Sequence, residues 1–569
     1  MVFAGKYEPV ASDNLKRLLR PRSIASFGGS WSKQVIRQCL AGGFSGEIWP
    51  VHPTQTHIEG LRCYRSIEEL PGVPDAAFIG VNRHQTLELV HQLSRIGTGG
   101  AVCFASGFEE AGEAGMQQKL VDQAGPMVIL GPNCYGFINY LDQVMIWPDQ
   151  QAGRPVASGV AIISQSSNIA VNWSMGAGGL PVGYIICVGN QAMVTITGIA
   201  EALLDDPRIT AIGFYIEGFT DARAFADMAD HARYRGKGLV AIKAGKSPGS
   251  QSAVGSHSAS IAGEASVSSA FLAQCGVGEV ETPEALIEAL KILHCGGLPA
   301  GNQLVSLSCS GGEASLMADQ AVRHDLQHPA FPSAIADKLA EQLGPLVHIA
   351  NPLDYHTFIW GDREKLEALF TLIGGCDFDL MVLVIDIPPS PPCDPASWEL
   401  ALEAYCCAAG RTGQRCAVLA TMGELMPASW ATRLIDHKIA ALAGLDPAMQ
   451  AIAALARIAA KPPKAGWRPL AVRPISGKRR MVDEYDTKCW LQTHGISVPD
   501  SIRVDTQSTA VEAAHRLGGS LVLKRIGLAH KSEHDAVRLN LAPDEIAEAF
   551  ARMQDQPIGD GQSSLARPA

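Results

Sequence analysis

A chain of 569 residues, 47% hydrophobic and 18% charged, has the composition of a globular protein and room for about three to five domains. Its formal net charge of -11 excludes the basic surplus typical of nucleic-acid binders, and no apolar run approaches the roughly 18 residues of a membrane span. The opening stretch MVFAGKYEPVASDNLKRLLRPRS has no apolar signal core, and the 14 cysteines form no CxxC pair, so the reading is a cytoplasmic protein with reduced thiols.

Short apolar runs alternate with helical patterns along most of the chain, the signature of parallel α/β sheets. A first unit, 14–148, reads as a Rossmann-like doubly wound domain. Its strands SIASFGGS, EIWPVHP, AAFIGV, GAVCFASGF and MVILGPN each end in small or polar residues. Such sheets hold ligands beyond the carboxyl ends of their strands. The turn Gly28, Gly29, Ser30 lets a phosphate approach the backbone ahead of a helix N-terminus. It lacks a full GxGxxG, and the second strand ends in PVHP without an acidic ribose ligand. A dinucleotide cofactor is therefore a poor reading, and a ligand-free turn stays open.

A second unit, 154–296, opens on GVAIISQSSNIA and runs through AIGFYIEGF and GLVAIKAGKS to the loop AVGSHSASIAG. Ser166 and Ser167 offer hydroxyls and amides at a helix start, suited to a phosphate or carboxylate or to simple N-capping. Glu217 closes an apolar strand, either as a solvated end-of-strand acid or as the partner of an imidazole. His257 stands alone among Ser, Ala and Gly, where small neighbours leave its ring open to a large phosphoryl donor. A passive loop histidine is the plain alternative, and no GxSxG elbow near it supports a serine hydrolase.

A third unit, 300–460, opens on NQLVSLSCSGGEASLM and passes ANPLD and DLMVLVIDIPP. Its SCSGGEA, from Ser308, repeats the pattern of SQSSNIA, from Ser164, which suggests a duplicated flavodoxin-like domain, with a chance likeness of two strand–turn–helix units as the alternative. The stretch 461–481, rich in Pro, Gly, Lys and Arg, reads as a linker. Over 482–556 the pattern predicts a helix, a strand over SVPDSIRV, a hairpin whose first strand closes on Lys524, and an amphipathic helix. The tail 557–569 has no core-forming pattern and reads as disordered.

The segments SIASFGGS, PVHP, ASGFEE, GPNCYG, ISQSSNIA, GNQA, YIEGF, IKAGKS, SHSASIAG, NPLD and LKRIGLAHKS form an ordered set. In that order the chain resembles the NDP-forming acyl-CoA synthetases, relatives of succinyl-CoA synthetase and the ADP-forming acetyl-CoA synthetases. The resemblance implies a CoA-binding domain, two succinyl-CoA-ligase-like flavodoxin domains and the N-terminal part of an ATP-grasp domain. It implies formation of acyl-CoA from a carboxylic acid, CoA and ATP with Mg²⁺, through an acyl phosphate and a phosphohistidine. On the motif match His257 is the phosphorylated residue and Glu217 its stabilising partner. Gly28, Gly29, Ser30, His52, Pro53, Asn133 and Cys134 fall on CoA-domain motifs, and Ser166 and Ser167 on the phosphate- or acyl-binding turn. Lys524 matches a nucleotide-binding lysine, and His530 a second phosphoryl carrier. No metal ligands are assigned.

GPNCYGFINYLD, QSSNIA and SCSGGEASLMAD resemble members that handle hydroxycinnamates such as ferulate, with short-chain and dicarboxylic acids as competitors. A homodimer is expected. Two departures qualify the match: EHDAV follows HKS without the family's glycine pair, and little chain follows Lys524. The expectation is a synthetase that lacks part of its nucleotide fold or takes it from a partner. A CoA-binding protein without catalysis, or a lyase acting through CoA ligation, is the alternative.

Overall fold

Strands buried on both faces, the kind that helical crossovers cover, build three mainly parallel sheets in the computed structural model. The model describes residues 12–176, 178–247, 249–250, 265–464, 466–469, 482–526 and 536–554. The chain divides into two compact units, Gly5–Ala471 and Val472–Ala569.

In the first sheet β1 (Ser23–Gly28), β2 (Glu47–Val51), β3 (Ala76–Gly80), β4 (Gly100–Cys103) and β5 (Val128–Leu130) pair in the order β2-β1-β3-β4-β5. Alternation along each strand splits its side chains between two cores. Ile24, Phe78 and Val102 face one, with Leu15 and Leu18 of the first helix; Ala25, Phe27 and Ile79 face the other, with Val90 and Leu93. The strand order reverses between β1 and β3. There Gly28 has φ +126°, and a Cβ on it would sit 2.5 Å from the Gly80 carbonyl oxygen, so the turn admits only glycine.

The second sheet contains β6 (Phe137–Asn139), β7 (Val144–Ile146), β8 (Gly159–Ser164), β9 (Val182–Cys187), β10 (Ile209–Ile216), β11 (Gly238–Lys243) and β12 (Val277–Glu279). They pair in the order β12-β11-β10-β8-β9-β6-β7, with β6 and β7 an antiparallel hairpin on the edge of β9. The 14–148 reading therefore placed in the first domain a hairpin that the pairing gives to the second sheet. Asn139 explains the attachment. Its side-chain amide donates to the Leu19 carbonyl at 3.1 Å and the Tyr184 hydroxyl at 2.9 Å, joining the first helix to β9. Nearby, Arg208 pairs with Asp142 and Asp206, and Arg20 reaches the same two acids.

The third sheet, β13 (Leu304–Ser308), β14 (Leu353–Asp354), β15 (Leu380–Val384), β16 (Cys416–Ala420) and β17 (Ala440–Ala443), runs β14-β13-β15-β16-β17. That is the doubly wound order also followed by β9-β8-β10-β11-β12. The turns after β8 and β13 match in detail. Ser164 Oγ donates to the Ser166 carbonyl at 2.7 Å, and Ser308 Oγ to the Ser310 carbonyl at 2.9 Å. The likeness of SQSSNIA to SCSGGEA thus corresponds to one strand–turn–helix geometry used twice. Helix Pro283–Gly296 packs between these two sheets and carries the buried pair Glu288 and Lys291.

In the unit Val472–Ala569, helices Glu484–Thr493, Gln507–Leu517 and Ile546–Gln554 accompany an antiparallel pair, β18 (Leu521–Lys524) and β19 (Val537–Leu541). Ala510, Leu523, Phe550 and Met553 form its small core. The strand expected over SVPDSIRV is absent: Pro499 removes a ladder donor, and Val504 reaches the core from a loop. Within 461–481 the described part is anchored rather than free, because Arg468 pairs with Asp227 and Asp230 and Trp467 packs near Phe271. The tail 557–569 lies outside the described residues. Among those described, no helix is long and apolar enough to cross a membrane.

Candidate functional site

The carboxyl ends of the first and second sheets open into one cavity of about 910 Å³. Four turns of the first sheet and three of the second contribute. Trp31 follows β1, Val81 to Arg83 follow β3, Phe104 to Ser106 follow β4, and Asn133 to Tyr135 follow β5. From the second sheet come Gln165 to Asn168 after β8, Gly189 and Asn190 after β9, and Glu217 after β10.

One wall is aromatic. The rings of Trp31 and Phe104 lie 4.8 Å apart and those of Phe104 and Tyr135 5.5 Å, with buried Trp147 backing Tyr135 at 5.7 Å. Trp31, at 41% exposure, leaves much of its ring for a ligand. Polar side chains join these rings. Asn133, held at φ 57°, donates through its amide to the Asn190 side chain at 3.3 Å, and Asn190 donates onward to Gln117 at 3.1 Å.

Ser166 heads the helix Ser167–Met175 without a side-chain capping bond, so its hydroxyl does not serve the plain N-cap role. The turn is instead held by Ser164, whose hydroxyl accepts the Ser166 amide at 3.1 Å, while Ser167 Oγ lies 3.0 Å from Cys187 Sγ. Half-buried Glu217 stands one residue beyond β10. Burial holds the Cys134 thiol well above its usual range, with Cys187 and Cys103 adding to the shift, so Cys134 packs rather than reacts.

Of the residues read from the sequence, Asn133, Cys134, Ser166, Ser167 and Glu217 converge on this cavity. Gly28, Gly29 and Ser30 sit at the chain reversal beside it, one residue before Trp31, and do not line it. His52 closes its own turn, its Nδ1 accepting the amides of Thr54 at 3.3 Å and Gln55 at 3.2 Å, and Pro53 is exposed. Lys524 belongs to the other unit, where it pairs with Glu484 at 2.7 Å and lines a cavity of about 410 Å³. His257 and His530 lie outside the described residues. Sequence reasoning passed over Trp31, Phe104, Gln165 and Lys243. Of these Lys243 carried a signal, as the one charge ending the apolar run GLVAIK.

The matching turn of the third sheet gathers carboxyls. Glu313, in the first turn of helix Gly311–Arg323, is pushed up to about 7 by burial and by the charges of Asp386 and Asp354. Its proton is therefore retained on folding while the unfolded chain loses it near pH 4.5. Stability from this group falls as pH rises from about 4.5 to 7 and stays reduced above. Glu313→Gln should flatten that decline in thermal melts between pH 5 and 8; an unchanged slope would contradict it.

Doubly wound sheets facing one polar cavity define an α/β enzyme whose ligands bind at strand carboxyl ends. Comparison with known families narrows that class. Residues 22–140 match the CoA binding domain, 157–293 the succinyl-CoA ligase like flavodoxin domain, and 474–558 the ATP-grasp domain. The chain is 30% identical over 566 residues to a trans-feruloyl-CoA synthase of an unknown prokaryotic organism, covering 95% of this chain and 79% of that one. It is 23% identical to the 4-hydroxybutyrate–CoA ligase [ADP-forming] of Nitrosopumilus maritimus, over 94% of this chain and 79% of that one. In fold it is similar to the dinucleotide forming acetyl-coenzyme A synthetase 1 of Ca. Korarchaeum cryptofilum. There the TM-score is 0.68 at 24% identity, over 78% of this chain and 97% of that one. The chain belongs to the ADP-forming acyl-CoA ligases; it is an acid–CoA ligase that uses CoA and ATP.

Proposed function

We propose that the acid is a hydroxycinnamate such as ferulate and that the phosphoryl group travels on His257, with Glu217 as its partner. The observation that carries the reading is the convergence of Glu217 and the uncapped start of helix Ser167–Met175 with Asn133 and Cys134 in one cavity. Helix amides favour phosphoryl oxygens, and a carboxylate favours the cationic ring of a phosphohistidine. In the synthetic direction the terminal phosphoryl group of ATP passes to an imidazole nitrogen of His257, releasing ADP. It then passes to a carboxylate oxygen of the acid, giving an acyl phosphate and restoring the imidazole. The CoA thiolate attacks the acyl carbon, the carbon–oxygen bond to phosphate breaks, and acyl-CoA and phosphate leave.

The aromatic wall of Trp31, Phe104 and Tyr135 suits a planar ring, and the likeness to a feruloyl-CoA synthase supports the same class of acid. Contacts to CoA from Gly28, Gly29, Ser30, His52 and Pro53, and to nucleotide from Lys524 and His530, belong to the same proposal, as do a homodimer and a cytoplasmic setting.

The reverse half-reaction tests the carrier without ATP. Incubation with feruloyl-CoA and labelled inorganic phosphate should place acid-labile label on the chain, and His257→Ala should abolish it while CoA binding persists. Absence of label with both feruloyl-CoA and acetyl-CoA overturns the carrier. Label from acetyl-CoA alone overturns the hydroxycinnamate assignment.

A further inference from the structure

Glu217 lies one residue past the last ladder pairing of β10. Side chains from two neighbouring strands hold its backbone there. Gln165, 7% exposed and immediately after β8, accepts the amides of Glu217 and Gly218 on Oε1, the latter at 3.0 Å. Its Nε2 donates to the Gly218 carbonyl at 2.8 Å. Lys243, 4% exposed and the last residue of β11, donates from Nζ to the Glu217 carbonyl at 2.8 Å and also to that of Ala244. In the sheet β10 runs between β8 and β11, so the two side chains grip the Glu217–Gly218 peptide from opposite sides.

We propose that Gln165 and Lys243 are positioning residues that fix Glu217 for phosphoryl transfer at this cavity; the assignment rests on the role given to Glu217 above. A buried ammonium is an expensive way to satisfy two carbonyls, since burial opposes its charge. That burial lowers the Lys243 pKa, and among the neighbouring charges Glu217 opposes the shift most, ahead of Glu279, while Lys246 adds to it. Lys246 itself pairs with Glu279 at 3.0 Å. Lys243 thus supplies both a tether to the Glu217 main chain and a positive charge beside its carboxylate. Gln165 supplies a rigid planar amide whose two ends match successive peptide groups. A main chain held in this way fixes where the Glu217 side chain starts, so its carboxylate has a small volume to search for the His257 imidazole.

The test is a double-mutant cycle on His257 labelling from feruloyl-CoA and phosphate. Lys243→Met should slow labelling about 10²-fold with the KM for feruloyl-CoA unchanged, as expected for lost alignment. Gln165→Leu should act similarly. In a Glu217→Gln background, Lys243→Met should cause little further slowing. Full additivity, or an unchanged rate in both Lys243→Met and Gln165→Leu, overturns the positioning role while leaving Glu217 in place. An unchanged rate in Glu217→Gln alone, or no label on the parent chain, overturns the underlying reading and the clamp with it. Circular dichroism of each variant separates these results from misfolding.

Discussion

Glu217→Gln is expected to slow phosphoryl labelling of His257 by about 10²- to 10³-fold, the range seen when one preorganised charge-stabilising group is lost. The substitution keeps the length and shape of the side chain, removes its negative charge and exchanges one acceptor oxygen for a donor NH2. Phosphorylating a neutral imidazole nitrogen develops positive charge on the ring, and a carboxylate beside it stabilises that charge most where water is partly excluded. Glu217 is half-buried in the wall of the cavity, and its backbone is fixed by Gln165 and Lys243 whatever its side chain carries. CoA affinity should therefore hold while the rate falls, and the unfolding midpoint should drop only modestly, because Glu279 still offsets the buried Lys243 charge. Initial labelling rates and calorimetric titration with CoA check both halves. A parental rate in the variant would remove Glu217 from the chemistry.

Lys291→Ala should destabilise the unit Gly5–Ala471 by about 3–5 kcal/mol, read as a lower urea midpoint, because it leaves a buried carboxylate without its counter-charge. Lys291 is 0% and Glu288 4% exposed, and the ammonium contacts both carboxylate oxygens, at 3.0 and 3.1 Å. Glu288 also accepts the Ala443 amide at 2.9 Å, so the pair ties helix Pro283–Gly296 of the second sheet to β17 of the third. Burial pushes the Glu288 carboxyl up, and Lys291 opposes that shift. Replacing both residues by Leu and Met should recover most of the loss, since an apolar pair of similar volume needs no charge compensation. Recovery should stop short of the parent, because the Ala443 amide loses its acceptor, a deficit of about 1–3 kcal/mol. A single Lys291→Ala chain as stable as the parent would show that the pair contributes nothing.

Much of the architecture is written locally. SIASFGGS, AAFIGV, GVAIISQ and DLMVLVI are dominated by apolar and small residues, and each forms a strand buried in a parallel arrangement. The paired turns at Ser164 and Ser308 were visible as a repeated pattern because the same local geometry needs a serine at the strand end. Glu217, Ser166, Ser167 and Asn133 were legible for a related reason: ligands in doubly wound folds gather at strand ends, and polar residues there stand out against apolar runs.

Other features depended on contacts across long stretches of chain. Nothing within Phe137–Ile146 says which sheet its short hairpin joins; its edge pairing with β9 and the bonds of Asn139 decide that. Gln165 reads as a spacer inside SQSSN, and its function as a peptide clip exists only once β10 lies beside β8. The sequence by itself determined the family, the strands and the polar strand ends, because these follow from residue patterns within a few positions of one another. The tertiary structure alone decided which strand ends share a cavity, which aromatic rings wall it, and how Glu217 is held. Those properties belong to side chains far apart in the chain, and sheet order is what brings them together.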